Sequence, residues 1–263
     1  MTEKMSGPAG GVTAGVVLID KPVGRTSFAM VKKIRWLLGI KKVGHAGTLD
    51  PFADGLLIVC VGRPATRHID DFMSSRKTYR AVLQLGRETT TQDPEGEVTE
   101  IRPVPELAQE DIAEVLQGFL GPQMQTPPPY SAAKHKGKPL YHYARKGIMI
   151  QKEPKLIEIY TLRADGYDPV KEQLTITVTC SRGTYIRVLA AEIGRKLGCG
   201  AHLTALRRTA SGGFTVDDAV AGEALFSREN GQELLLNRIL TVEQALARHQ
   251  LPPQGVPQNI VDI

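Results

Sequence analysis

Residues 44–61, GHAGTLDPFADGLLIVCV, run from a glycine-framed polar loop straight into six consecutive apolar residues. The run Leu56–Val61 is continuously apolar and has the length of one strand, the pattern of a buried strand. Ahead of it, Gly44, Gly47 and Gly55 open backbone angles closed to other residues. Pro51 fixes its own φ and biases Asp50 towards an extended conformation. A rigid loop backed by a buried strand is a place where chains hold reactive groups. The best-placed group in this loop is the Asp50 carboxylate. Asp-Pro is also a common turn starter, so the residues alone leave two readings open: a reactive carboxylate or a turn cap.

The rest of the chain supplies an ordinary globular frame. At 41% hydrophobic and 23% charged residues over 263 positions, one large domain or two small ones can form. Gly15–Asp20 reads as a strand. A helix is expected from an N-cap at Ser27 to a stop at Gly39, with Phe28, Val31, Ile34 and Leu38 on one face. A second helix is expected over Ala65–Met73. Lys77–Leu85 alternates, with Tyr79, Ala81, Leu83 and Leu85 on one side. Gly86–Gly96 reads as a polar loop, Gln109–Gln117 as an amphipathic helix, and Lys155–Ala164 and Gln173–Cys180 as strands. A helix follows Ser181–Arg187 and ends near Leu197, and Leu203–Arg208 reads as a short strand or edge. With no repeat and no long linker, a single domain over residues 15–245 is expected, between a flexible tail at 1–14 and a C-terminal tail at 246–263.

Charge narrows the class of partner. Residues 1–45 hold eight Lys and Arg against two acids, residues 130–210 hold fifteen against six, and residues 211–263 hold three against seven. Basic charge gathered in two segments fits a polyanion, although a solvated basic surface gives the same count. No apolar run reaches the length of a membrane span, and MTEKMSGPAGG lacks a signal-peptide core. Cys60, Cys180 and Cys199 are too few and too scattered for a disulfide framework or a zinc site. A reduced, cytoplasmic protein without metal is the expectation.

Thr126–Tyr143, TPPPYSAAKHKGKPLYHY, opens with three prolines and then interleaves Tyr130, Tyr141 and Tyr143 with Lys134, His135, Lys136 and Lys138. Basic groups meet phosphates and aromatic faces stack on bases, so this mixture suits a folded loop of RNA. It also suits a solvated loop whose tyrosines pack on the body of the protein.

Separated motifs carry a resemblance: GVVLIDKPVGRTS at the start, GHAGTLDPFADGLL around Asp50, KTYRA at Tyr79, PPYSAAKHKGKPLYHYARKG after it, and SRGTYIR at Arg187. In this order they resemble the TruB-type tRNA pseudouridine synthases over about residues 15–210. The resemblance implies an α+β pseudouridine synthase fold, a mixed, largely antiparallel sheet around a central cleft with flanking helices. It implies isomerisation of uridine 55 in the T loop of tRNA, by base flipping and aspartate-dependent exchange of the glycosidic bond, without cofactor or metal. It assigns Asp50 as the nucleophile, Arg187 as its cation, and Tyr79 and Tyr185 to the target uracil. It gives His45 the vacated stack, Leu206 a backbone contact to the uracil, and residues 127–147 an RNA-clamping role. The partner implied is the T stem-loop of tRNA, bound by a monomer, with no membrane. Many family members continue into a C-terminal RNA-binding domain, expected here to be absent or truncated. An RNA-guided synthase and a non-catalytic tRNA-binding or folding protein are the alternatives.

Overall fold

The computed structural model describes residues 11–226 and 230–251. The expected tails therefore lie largely outside the described residues, at 1–10 and 252–263. In chain order the elements are β1 (Gly15–Lys21), α1 (Ser27–Leu38), β2 (Val43–Ala46), β3 (Asp54–Val61), α2 (Gly62–Thr66), α3 (Ile69–Ser74) and β4 (Lys77–Leu85). Next come β5 (Arg87–Thr89), β6 (Val98–Ile101), α4 (Gln109–Gln117), β7 (Gly121–Gln125), β8 (Lys134–His135), β9 (Lys138–Pro139), α5 (Leu140–Ala144) and β10 (Lys155–Asp168). The last are β11 (Gln173–Cys180), α6 (Ile186–Lys196), β12 (Ala201–Ser211), β13 (Phe214–Thr215), β14 (Val220–Ala221), α7 (Gly231–Leu236) and α8 (Val242–His249).

Two compact units divide the chain, one up to Lys77 and from Arg208 onward, the other Thr78–Arg207. The boundaries fall inside β4 and β12. In the first unit β1 and β3 pair antiparallel, from Gly15 opposite Val61 to Lys21 opposite Gly55, and β14 joins β1 in parallel. Both faces of this pair are covered. Val17, Ile19, Leu57, Val59 and Val61 pack against Met30, Val31, Ile34 and Leu38 of α1. Val16, Leu18, Leu56, Ile58 and Cys60 pack on the other side against Phe72, Phe214, Val242 and Ala245. Burial on two faces is the physical reason for the unbroken apolar run. It also pushes the Cys60 thiol up to about 12, so this cysteine is inert packing.

The second unit orders its strands β12-β4-β11-β10-β7. Tyr79, Ala81, Leu83 and Leu85 are all buried, as the alternation of β4 requires. Helix α4 packs on β10 and α6, placing Ile112 and Leu116 inward. The expected polar loop at 86–96 is partly a hairpin, because β5 and β6 pair antiparallel with Arg87 opposite Ile101.

Several local expectations change. The N-cap of α1 is Thr26, whose Oγ1 accepts from the Ala29 N–H at 3.0 Å. Phe28 is exposed and Met30 takes the buried position. The helix expected at 65–73 is two short ones, α2 and α3, with His68 capping the second. Strand β12 is eleven residues long with partners on both sides, rather than a short edge. Helix α8 carries residues 246–249, and His249 lies edge-on to Phe72 at 5.2 Å between ring centroids. No described helix is long and apolar enough to cross a membrane.

Candidate functional site

In the first unit, β2 and β3 pair antiparallel with His45 opposite Val59, so the chain must reverse between Ala46 and Asp54. Asp50 rides on that reversal and is half-buried. The loop is fastened at several points. Ser27 Oγ donates to Leu49 O at 3.1 Å and accepts from Leu49 N at 2.9 Å. Because Thr26 caps α1, Ser27 is free for this task. The Gly24 N–H donates to Pro51 O at 2.8 Å, and the Ala53 N–H to Asp50 O at 3.2 Å. Lys21, fully buried, donates to Pro22 O at 2.8 Å and Arg25 O at 2.6 Å, stiffening the turn beside the loop.

Arg208 ties the two ends of the loop. Its Nε donates to Leu56 O at 2.6 Å and its guanidinium to Gly47 O at 3.1 Å. As one of fifteen basic residues between 130 and 210, Arg208 counts towards the charge expected to meet a polyanion. It is instead 2% exposed, turned inward onto backbone carbonyls. Gly55, at φ +97°, makes the closest approach to this strand, since a Cβ there would meet Arg208 N at 2.8 Å and its carbonyl closer still. Only glycine combines that φ with that space.

His45 is half-buried on β2, and its Nδ1 is buried without a hydrogen-bond partner among the described residues. Burial, and secondarily the charge of Arg208, hold its pKa below the usual histidine value. The ring is therefore neutral at physiological pH, a flat aromatic rather than a cation.

The second unit holds the other expected site residues. Tyr79 is buried on β4 and Leu206 is buried on β12. Tyr185 caps the start of α6 and is half-buried. The side-chain amide of Gln125 accepts from Tyr185 N at 2.7 Å and donates to Tyr185 O at 3.2 Å, fixing that residue's backbone. Arg187, 3% exposed in the first turn of α6, donates to Thr91 O and Tyr130 O, each at 2.8 Å. It also forms an ion pair with buried Asp93 at 3.4 Å. Asp93 accepts from Thr91 Oγ1 and from Glu95 N at 3.0 Å. Sequence reasoning missed Asp93 and Gln125. The turn DPEG gave a signal for a bend, but nothing marks a carboxylate whose partner lies ninety-four positions away.

The segment 127–147 folds back on itself. The Leu140 N–H donates to Ala133 O at 2.7 Å and the Tyr141 N–H to Ser131 O at 3.1 Å, while β8 and β9 form a hairpin. Lys134, Lys136 and Lys138 are exposed and Tyr130, Tyr141 and Tyr143 half-buried, with Tyr141 stacked on His142 and Tyr143 edge-on to His135. Tyr143 OH donates to His135 O at 3.1 Å. No group of three His, Cys, Asp or Glu able to hold a metal occurs among the described residues.

Comparison with known proteins places this architecture. The solved structure "Crystal Structure of a Cbf5-Nop10-Gar1 Complex" matches with a TM-score of 0.68 at 26% identity, covering 95% of this chain and 68% of that one. "Structure of H/ACA RNP bound to a substrate RNA containing 2'-deoxyuridine" matches at 0.64, with 26% identity over 89% of this chain and 61% of that one. The fold is that of a pseudouridine synthase. Residues 35–186 match the model of the TruB family pseudouridylate synthase (N terminal domain), and residues 187–247 match the tRNA pseudouridylate synthase B C-terminal domain. "tRNA pseudouridine synthase B" of Desulfotalea psychrophila is 53% identical over 88% of this chain and 95% of its own length. The protein of the same description from Thiobacillus denitrificans is 50% identical over 81% of this chain and 70% of its own. The chain belongs to the TruB family of pseudouridylate synthases.

Proposed function

We propose that this protein isomerises uridine 55 in the T loop of tRNA to pseudouridine, as a cytoplasmic monomer without cofactor. The observation that carries the reading is the half-buried Asp50 carboxylate on a loop whose backbone is bonded by Ser27 at Leu49, Lys21 at Pro51 and Arg208 at Gly47. The reaction breaks the N1–C1′ bond, rotates the uracil and rejoins it through C5. C5 then gives up its proton and N1 gains one, so no redox step or net hydrolysis occurs. Asp50 is the nucleophile, and an ionised carboxylate answers the positive charge that builds at the sugar.

Arg187 is the cation that the SRGTYIR match assigns to the catalytic aspartate. Its support is the motif match and its burial, and its guanidinium is oriented by Asp93 and by the carbonyls of Thr91 and Tyr130. Tyr79 and Tyr185 hold the uracil, and Tyr79 is the candidate to receive the C5 proton. The backbone of Leu206 contacts the base. His45, neutral and with an unpartnered nitrogen, fills the stack vacated when the base flips out. Residues 127–147 clamp the RNA with their exposed lysines.

Greater identity to chains described as tRNA pseudouridine synthase B than to the H/ACA structures favours direct recognition of tRNA over guidance by a second RNA. The test is incubation of wild type and Asp50→Asn with an unmodified tRNA transcript, mapping pseudouridine by position. Wild type should modify position 55, while Asp50→Asn should bind the tRNA and form no product. Turnover by Asp50→Asn would remove the aspartate mechanism, and binding without product by wild type would favour a tRNA-binding or folding role.

A further inference from the structure

The outer face of α1 has a composition that packing does not explain. From residue 21 to residue 49 the chain holds seven Lys and Arg and no acid. The first turn of α1 carries no acidic residue, although the helix dipole favours one there. Phe28 and Trp36 are 52% and 59% exposed on a helix whose other face is complete, with Met30, Val31, Ile34 and Leu38 buried. Two large rings left in water on a well-packed helix mark an interaction surface.

The basic groups are set against the rings. Lys32 Nζ stands 5.2 Å from the Phe28 centroid and Lys33 Nζ 4.3 Å from that of Trp36. Arg25 stands 4.0 Å from the ring of Phe226. Arg35, half-buried, stands 5.7 Å from the Phe28 centroid while donating to Val43 O at 2.6 Å. The elements packed against α1 bring two exposed acids, Glu223 and Glu233. The stripe begins beside the Asp50 loop, since Ser27 in the first turn of α1 is bonded to Leu49. Trp36 lies nine residues further on, roughly 13 Å along the helix axis.

Resting on the reading of the chain as a tRNA-modifying enzyme, we infer that the outer face of α1 is a second RNA-binding surface. It takes phosphates and an unpaired base of the same tRNA outside the T loop. Alternating cations and exposed rings at this spacing match a nucleic-acid strand, whose charge and bases repeat together. The RNA that leaves the Asp50 loop is the polyanion nearest to hand.

Trp36 is the only tryptophan in the 263 residues, so its emission reports on this face alone. Wild type is titrated with a full-length unmodified tRNA transcript and with a T stem-loop minihelix, reading tryptophan emission and pseudouridine formation on the same samples. Full-length tRNA should change the emission with the midpoint of binding, and the minihelix should be modified with a smaller change. The double variant Phe28→Ala/Lys32→Glu, checked for an unchanged melting curve, should raise KM for full-length tRNA by about tenfold with kcat retained, and lower the salt slope of binding by about one. Its KM for the minihelix should stay at the wild-type value. Modification of full-length tRNA with unchanged emission and a variant KM within twofold overturns the inference while leaving the proposed function intact. Emission changed by anionic phospholipid vesicles and not by RNA also overturns it, in favour of a membrane surface. Emission changed by tRNA with no product at any uridine sustains the surface and removes the enzymatic reading.

Discussion

Replacing Ser27 by alanine removes one oxygen and two hydrogen bonds, both to Leu49, the residue before Asp50. Ser27 is 3% exposed and Leu49 is also 3% exposed, so water does not take over the vacated positions. A buried amide and a buried carbonyl are each left short of a partner, at about 1–3 kcal/mol apiece. We expect a loss of about 2–4 kcal/mol and, at roughly 2–4 °C per kcal/mol in a chain of this size, a melting temperature lower by on the order of 10 °C. The larger effect falls on kcat, because the loop that aims Asp50 loses its nearest anchor, and a misplacement near 1 Å can cost about 100-fold. Thr26→Ala is the control. It removes the cap of the same helix for about 1 kcal/mol but touches no loop atom, so kcat should hold. Thermal melts and single-turnover pseudouridine formation on a tRNA transcript measure both quantities. A Ser27→Ala protein that melts within about 1 °C of wild type and turns over at the wild-type rate would refute the anchoring argument.

Gly55→Ala should fail more severely than any surface change, since it combines φ +97° with a collision against the Arg208 backbone; expression of a folded, active protein would count against that strand contact. Asp93→Asn weakens the ion pair to Arg187 and should lower kcat by roughly 10-fold or more while tRNA affinity holds, which filter binding and single-turnover rates separate; equal losses in both would point to misfolding. Burial lowers the pKa of His45 and of His249, so both favour their neutral forms in the folded protein. The stability they contribute is complete above the ordinary histidine value and declines as pH falls from about 6.5 towards the lowered values, because only the unfolded chain takes up protons in that window. Urea midpoints should fall between pH 7 and pH 5, and His45→Gln should flatten the decline; a steeper decline in that variant would contradict the assignment.

How legible the sequence was depended on whether a residue's partner was local. The unbroken run Leu56–Val61 could announce a buried strand because every residue in it reports the same environment, and the structure adds that both faces are covered. Helix α4 and strand β11 were legible to the residue, since their periodicities of 3.6 and 2 are uninterrupted. The start of α1 was read one position late, because Thr26 and Ser27 are both good caps and only the distant Leu49 decides between them. Phe28 was assigned inward by its hydrophobicity, yet the helix turns Met30 to the core. The β5–β6 hairpin was missed because its strands are polar, with Val98 and Ile101 facing solvent. Asp50, Tyr79 and Arg187 were singled out through matched motifs. Asp93 and the carbonyls of Thr91 and Tyr130, which hold Arg187, were invisible, because backbone acceptors leave no mark on a sequence.

Arg208 has a consequence for the order in which the protein becomes competent. The loop it ties lies 161 positions earlier at Gly47 and 152 earlier at Leu56. Chains emerge from the ribosome N-terminus first, at about 5–20 residues per second. The Asp50 loop is therefore made early, with its Ser27, Lys21 and Gly24 anchors, and stays without the Arg208 tie for on the order of ten seconds or more, until residue 208 is outside. A nascent chain halted near residue 200 would already contain Asp50, Tyr79 and Arg187 in its sequence, yet still lack the side chain that closes the loop.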